Sequence, residues 1–148
     1  MKTCFFIGHR DAPESIYGRL LAAVERHIKE YGVTDFVVGR YGNFDRLAAR
    51  AVIEAKQRHP EVTLTLLLPY YRARTEPLPD GFDDSLFPDG LETVPKRAAI
   101  LRANRYMLHH CEYMIVYDAG RIGNTRKLVS VAGKVDGLRL DNIAQPHV

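Results

Sequence analysis

Glycine, arginine and short polar side chains recur directly after several runs of apolar, strand-forming residues in this sequence. Glycine lets the backbone approach an anion closely, and arginine offers paired N–H donors to a phosphate. Aspartate and asparagine can read the hydroxyl and amino groups of a nucleoside. These polar segments, 8–10, 39–45 and 118–125, together with 69–72, therefore predict a pocket for a phosphorylated nucleoside.

The predicted phosphate contacts come from the glycines, the arginines and the starts of the helices that follow them. The aspartates are expected to accept hydrogen bonds from ribose hydroxyls or an amino group. His9 belongs to the set because we expect no packing role for a histidine directly after a buried strand. The candidates are Gly8, His9, Arg10, Gly39, Arg40, Gly42, Asn43, Asp45, Asp118, Gly120, Gly123, Asn124 and Thr125.

A purely structural reading of the same residues stays open. Each glycine can be an ordinary turn residue, and Asn124 and Thr125 can be helix caps and nothing more. Neither GxGxxG nor a Walker A lysine is present, which disfavours a dehydrogenase or an NTPase. The sequence has no metal-like Cys/His spacing and no nucleophile elbow. We therefore predict no metal and no cofactor, and the catalytic residues stay unknown.

The composition limits the class of protein. A chain of 148 residues with 46% apolar and 26% charged residues predicts one domain over residues 1–148. The net charge of +3 argues against bulk nucleic-acid binding, and no run approaches the ~18 apolar residues of a membrane span. The two cysteines, Cys4 and Cys111, lie in apolar surroundings, which favours a reducing, cytoplasmic location.

Strand-like and helix-like patterns alternate along the chain and predict a three-layer, Rossmann-like α/β domain with a mainly parallel, five-stranded sheet. Helices are expected to cover both faces of this sheet. The segment 69–95 holds five of the eight prolines and predicts a long loop that could close over a ligand as a lid. The predicted strands are 3–8, 35–39, 62–68, 112–118 and 138–143, and the helices are about 13–32, 43–60, 96–110 and 124–133.

A combination of short motifs resembles the SLOG superfamily, which includes the LOG phosphoribohydrolases and DNA-processing protein A. The motifs are Gly-His-Arg at 8–10, Gly-x-x-Gly-x-Phe-Asp at 39–45, Asn-Arg-Tyr-Met at 104–107 and Tyr-Asp at 117–118. The resemblance runs from Thr3 to Ile143, and the sequence looks most like the small YpsA-like bacterial proteins. It implies a nucleotide-derivative pocket, adds Asn104 to the site, and implies a homodimer or larger homo-oligomer.

The sequence also departs from the family pattern. Gly39-Arg40 stands where the family usually has two glycines, and Gly123-Asn124-Thr125 replaces Gly-Gly-Thr. LOG enzymes carry a glutamate three residues after the threonine, and this chain has Leu128 there. A leucine can neither activate water nor stabilise an oxocarbenium-like centre, so this replacement argues against hydrolysis.

The leading prediction is therefore binding or sensing of a nucleotide or nucleotide-derived metabolite. One alternative is an N-glycoside hydrolase that uses Asp45, Asp118 or His9 in place of the missing glutamate. A second alternative is a single-stranded DNA-binding module. It depends on a basic aromatic cluster, Tyr70, Tyr71, Arg72 and Arg74, and the low net charge makes nucleic acid the less favoured partner.

Overall fold

Six parallel strands form one sheet in the computed structural model, which describes residues 2–70 and 77–144. The spatial order is β4-β3-β2-β1-β5-β6, and every neighbouring pair is parallel. Short apolar runs flanked by turns form the inner strands, as expected for a sheet that is covered on both faces. The strands are β1 (Lys2–Gly8), β2 (Val33–Val38), β3 (Thr63–Leu67), β4 (Asp84–Leu86), β5 (Tyr113–Tyr117) and β6 (Arg139–Asn142).

Within residues 2–70 and 77–144, four α-helices cover the two faces of the sheet, and each face has its own apolar core. Helices α1 (Tyr17–Lys29) and α2 (Asn43–Lys56) pack on one face with a core that includes Phe6, Phe36 and Leu47. Helices α3 (Lys96–Leu108) and α4 (Asn124–Ala132) cover the other face with Phe5, Met107 and Met114 among their core residues. A short 3₁₀ turn, Glu14–Ile16, precedes α1. The predicted three-layer α/β class is confirmed.

The point where the strand order reverses lies between β1 and β5. From β1 the chain builds β2, β3 and β4 outward on one side, and it then returns to place β5 and β6 on the other side. Phe6 of β1 pairs with Ile115, and Gly8 pairs with Tyr117 at the carboxyl end. Ligands of open parallel sheets bind at the carboxyl ends of the strands near such a point. The fold thus brings the segments after β1, β2 and β5 to one edge.

The sheet has six strands where the sequence predicted five. The additional strand, β4, lies inside the segment predicted as a loop, and it pairs with β3 at the edge of the sheet. Its three residues, Asp-Ser-Leu, include one apolar side chain, and the two polar ones are exposed. A strand this short and exposed has no alternating pattern that a sequence could reveal.

The other predicted elements agree with the structure in type, and the five predicted strands begin and end within two residues of the observed ones. Asn43 is the first residue of α2, and Gly42 occupies the N-cap position. Cys4 and Cys111 are buried core residues, and burial raises the pKa of both thiols, that of Cys111 to about 12. Among the described residues, no helix combines the length and apolar character needed to cross a membrane.

Candidate functional site

A cavity of about 120 Å³ lies at the carboxyl ends of β1 and β2, between α2, α3 and the start of α4. We call it the central cavity. Its α3 and α4 walls are partly apolar, formed by Ile100, Leu101 and Leu128. Half of the predicted site residues line it, namely Gly8, Arg10, Gly39, Asp45, Asn104, Asn124 and Thr125.

The turn between β2 and α2 is packed directly on the segment that follows β1. A Cβ atom on Gly42 would lie 2.6 Å from the Cα atom of Arg10, so only glycine fits there. The Asn43 N–H donates to the Arg10 carbonyl at 2.8 Å, and the Asn43 amide donates to the carbonyl of Ala12. Gly42 and Asn43 therefore hold the loop that presents Arg10 to the central cavity.

Packing also explains why residue 8 is a glycine. A Cβ atom at Gly8 would lie 2.3 Å from Cγ of Phe44, whose ring occupies the space that a side chain would need. The Phe44 ring also stacks on Tyr117, with 6.2 Å between ring centroids. The missing side chain of Gly8 thus lets α2 approach the ends of β1 and β5 closely.

Asp45 is the acidic side chain of the central cavity. It comes from the first turn of α2, and its Oδ2 atom accepts the backbone N–H of Tyr41 at 2.9 Å. Burial raises the pKa of this carboxyl to about 6, although the Tyr41 hydrogen bond and the nearby positive charge of Arg10 act in the opposite direction. Asp45 is therefore a carboxyl that titrates close to neutral pH inside the cavity.

His9 has a packing role, contrary to the expectation from the sequence. Its side chain is buried, and its ring meets that of Tyr117 edge-on at 5.4 Å between centroids. The Nε2 atom accepts the backbone N–H of Ala119 at 2.9 Å, while burial, together with the charge of Arg121, lowers the pKa of the imidazole. His9 thus joins the loop after β1 to the loop after β5 as a neutral ring.

Asp118 shapes the loop after β5. Its Oδ1 atom accepts the N–H of Gly120 at 3.0 Å, which forms a tight turn. Its backbone N–H donates to Oδ1 of Asn142, and the amide of Asn142 donates to its carbonyl. Asp118 and Gly120 are thus placed to orient the segment that leads into α4, and neither lines the central cavity.

A second depression, of about 290 Å³, lies over the start of α4, and we call it the α4 recess. It shares Arg10, Asn124 and Thr125 with the central cavity. Arg121, at its rim, donates to both carboxylate oxygens of Asp11, at 2.9 and 2.6 Å. This pairing holds the pKa of Asp11 at about 2, mainly through the hydrogen bonds. The other residues that line the recess are His9, Ile122 and Gly123.

The N-terminus of α4 is open. Gly123 is its N-cap residue, no side chain caps the helix, and a Cβ atom on Gly123 would have no neighbour within 4 Å. Within the described part of the chain, the side chains of Asn124 and Thr125 have no hydrogen-bond partner. The first turn contains no acidic residue. Backbone N–H groups and a positive dipole end therefore face the recess without an internal partner.

Arg40 lies apart from the central cavity. It lines an outer groove of about 480 Å³ beside α2, together with Ile53, Leu66 and Phe82. Gly39 and Asp45 line both spaces, so they separate the outer groove from the central cavity. Gly42 borders the outer groove as well.

Two tyrosines near the central cavity lie in the predicted segments 39–45 and 69–72 but were not among the predicted site residues. Tyr41 lines the cavity, and its ring meets Tyr70 edge-on with 6.3 Å between centroids. The Lys96 ammonium lies 5.3 Å from the centroid of the Tyr70 ring. Tyr41 could have been identified from the sequence, because it is an aromatic residue that lies between two glycines after a predicted strand. The remaining members of the basic aromatic cluster, Tyr71, Arg72 and Arg74, lie outside the described residues.

The side chains at this edge limit the chemistry that the site can perform. No group of three or more His, Cys, Asp or Glu residues that could hold a metal ion occurs within residues 2–70 and 77–144. Leu128, at the position of the LOG glutamate, is buried and lines the central cavity. The arrangement therefore offers an acidic group, Asp45, a cation, Arg10, and the open end of α4.

The chain matches no family model and no curated protein. Among solved structures, it is similar to the X-ray structure of DNA processing protein A (DprA) from Streptococcus pneumoniae, with a TM-score of 0.67 and 16% sequence identity. The match covers 95% of this chain and 49% of that chain, so this chain spans about half the length of its structural neighbour. The similarity shows a DprA-like Rossmann fold and supports the SLOG-type fold that the motifs indicated.

Proposed function

We propose that this protein binds a nucleotide or a nucleotide-derived metabolite at the carboxyl edge of its sheet. One observation carries the proposal: the central cavity and the α4 recess share Arg10, Asn124 and Thr125 as lining residues, and no side chain of the described residues caps the helix N-terminus in the recess. The two spaces differ in character. One is partly apolar with one carboxyl group, and the other is polar and suited to an anion.

In this proposal the phosphate lies in the α4 recess. The N–H groups at the start of α4 and the Arg10 guanidinium donate to its oxygens, and Thr125 adds a hydroxyl donor. The nucleoside lies in the central cavity against Ile100 and Leu101, where Asp45 and Asn104 read its polar groups. Arg121 lies at the rim, where Asp11 balances its charge.

Calorimetric titration with AMP, adenosine and ADP-ribose tests the proposal. We expect AMP or ADP-ribose to bind, and adenosine to bind more weakly because it has no phosphate. Arg10→Ala should weaken binding about tenfold or more, since a hydrogen bond to a charged group is lost. Arg105→Ala is the matched control, because Arg105 is exposed on α3 and does not line either space. Folded protein that binds none of a broad nucleotide panel would contradict the proposal.

A second candidate function is cleavage of an N-glycosidic bond. The observation that favours it is Asp45, because a buried carboxyl with a pKa of about 6 can donate a proton to a departing base. His9 is the less suitable acid, since its Nε2 atom accepts a backbone N–H and its pKa is lowered. Chromatography of nucleoside monophosphates incubated with the protein tests the idea. Release of free base that Asp45→Asn abolishes supports it, and binding without any release contradicts it.

Self-association stays a prediction from the resemblance to the SLOG superfamily. The particular similarity to the small YpsA-like proteins also stays a prediction. Ile122 supports self-association, because this large apolar side chain is 93% exposed at the rim of the α4 recess. A partner subunit that covered it would also border the proposed phosphate position.

A further inference from the structure

A separate cavity of about 190 Å³ lies at the opposite edge of the sheet, at the amino ends of β5 and β6. We call it the amino-edge cavity. The last turns of α1 and the residues after it form one wall, and the first residues of the two strands form the other. None of its lining residues belongs to the central cavity or to the α4 recess. The lining residues are Arg26, His27, Tyr31, Tyr113, Arg139, Leu140 and Asp141.

His27 supplies an unused acceptor to this cavity. The residue is 1% exposed, and its Nδ1 atom lies 2.7 Å from the carbonyl oxygen of Ala23, so Nδ1 carries the proton and donates it. Burial lowers the pKa of the ring, which leaves Nε2 as a neutral lone pair. Nε2 has no partner among the described residues, and none of their fully buried side-chain nitrogens lacks one. Nε2 therefore faces the cavity.

Two tyrosines hold the imidazole in place. The Tyr31 and Tyr113 rings stack in parallel at 5.1 Å between centroids. Both meet His27 edge-on, at 5.0 and 5.6 Å. Tyr113 is only 9% exposed, and its hydroxyl has no partner within residues 2–70 and 77–144. The cavity thus presents a fixed imidazole acceptor and an accessible Tyr113 hydroxyl within a three-ring cluster.

The charges around the cavity favour an anionic group. Arg26 is paired with Asp141, which balances one positive charge. Arg139 is exposed, and its guanidinium has no partner in the described part of the chain. The Lys2 ammonium donates to the Tyr31 carbonyl at 2.9 Å and lies 6.0 Å from the centroid of the Tyr113 ring. Arg139 and Lys2 are thus cations beside this cavity that make no ion pair with an acidic side chain of the described residues, and they can attract an anionic ligand.

We propose that the amino-edge cavity binds a small aromatic carboxylate that also carries an O–H or N–H donor. The ligand ring packs against the tyrosine cluster, its donor meets Nε2 of His27, and its carboxylate meets Arg139 and the Tyr113 hydroxyl. Histidines that serve only packing have both ring nitrogens paired or exposed to bulk water, whereas His27 directs a free acceptor into a cavity. The inference is independent of nucleotide binding at the other edge.

Nuclear magnetic resonance with 4-hydroxybenzoate as the probe tests this inference. We expect saturable shifts of the His27 imidazole nitrogens and of the Arg139 amide. Benzoate lacks the donor and 4-methylphenol lacks the carboxylate, so each should bind about tenfold more weakly, as expected for one lost hydrogen bond or charge contact. Equal binding of all three probes, or no saturable shift at these residues, would overturn the proposal.

Three variants separate the site from the fold. His27→Phe removes the acceptor, and Arg139→Gln and Tyr113→Phe keep the side-chain shape while they remove a charge or a hydroxyl. Arg139→Gln changes an exposed residue, so the test remains available if His27→Phe does not fold. Each variant should weaken 4-hydroxybenzoate binding at least about fivefold, the effect of one modest polar contact. Arg105→Ala, which changes an exposed α3 residue that does not line the cavity, is the control and should leave it unchanged, and unaltered binding in the folded Arg139→Gln and Tyr113→Phe variants would refute the assignment.

Discussion

Two helices at the carboxyl edge begin with the same dipeptide. Gly42-Asn43 opens α2 and Gly123-Asn124 opens α4, and in both cases glycine is the N-cap residue and no side chain caps the helix. The φ angles of the two glycines are nearly equal, 157° and 153°. The surroundings of the two starts differ completely, because one is sealed by packing and the other is open.

The α2 start is closed by its neighbours. Its glycine touches the backbone of Arg10, and the Asn43 backbone and side chain are both hydrogen-bonded. The α4 start has an uncrowded glycine, and the Asn124 side chain makes no hydrogen bond within the described residues. The Gly-Asn dipeptide thus makes packing and hydrogen-bond contacts after β2, whereas after β5 it leaves hydrogen-bond donors without a partner in the described residues. Spacing alone cannot distinguish these two uses.

The first turns also carry opposite charges. Asp45 in the first turn of α2 is favourable beside the positive end of the helix dipole. The equivalent position in α4 is Arg126, whose guanidinium donates to the Gly120 carbonyl at 3.0 Å, and Lys127 follows it. The helix dipole is unfavourable for both cations. An external anion would therefore stabilise the start of α4 most, whereas the start of α2 already contains an acidic side chain, Asp45. This difference is the physical basis for placing the phosphate at α4.

Asp45→Asn has the largest expected effect on the α2 start. The folded protein holds this carboxyl proton more tightly than the unfolded chain, because burial raises the pKa from 3.8 to about 6. The contribution of Asp45 to stability is therefore fully present below pH 4 and is lost as the pH rises through 6. A pKa shift of this size corresponds to a change of roughly 3 kcal/mol in the free energy of unfolding. Denaturant unfolding at pH 4 and pH 7.5 should show Asp45→Asn more stable than the parent at pH 7.5 only.

Asp136→Asn serves as the control for this measurement. Asp136 is exposed between α4 and β6, and its replacement should change the free energy of unfolding by less than about 0.5 kcal/mol at both pH values. If the free energy of unfolding of Asp45→Asn and of the parent protein depends on pH in the same way, burial does not raise the pKa of Asp45.

Gly42→Ala and Gly123→Ala compare the two starts directly. Because the φ angles are alike, backbone strain is nearly the same in both variants. Only the Cβ at position 42 collides with a neighbour, so Gly42→Ala should lower the free energy of unfolding by about 2 kcal/mol more than Gly123→Ala. Urea unfolding measures the difference. Equal losses would mean that the packing of Gly42 on Arg10 contributes nothing.

Arg126→Asp gives the α4 start the acidic residue that α2 already has. We expect the free energy of unfolding without ligand to rise by about 0.5 kcal/mol, because an acidic group is favourable at a helix N-terminus. AMP binding should weaken about tenfold, since the carboxylate competes with phosphate for the same donors. Thermal unfolding and calorimetric titration provide the two readouts, with Arg126→Gln as the neutral control. Unchanged AMP affinity in Arg126→Asp would place the phosphate elsewhere.

Strong apolar runs made most of the fold predictable, and weak local signals limited the rest. The buried strands and the α1 periodicity indicated an α/β sheet, and the switch point brought Arg10, Asp45 and Thr125 together as expected. Strand β4 was not predictable because its exposed polar residues depend on pairing with β3. The role of His9 also escaped prediction, because its partner, Ala119, lies 110 residues away.

The Arg121–Asp11 pair has a consequence for the entropy of ligand binding. A free arginine loses up to about 2 kcal/mol of rotamer freedom when a ligand immobilises it. Arg121 is already held by two hydrogen bonds to Asp11, so much of this cost is met during folding and before any anion arrives. Asp11 stays ionised at every physiological pH because its pKa is about 2. The rim of the α4 recess is thus preorganised, and its geometry does not depend on the acidity of the surroundings.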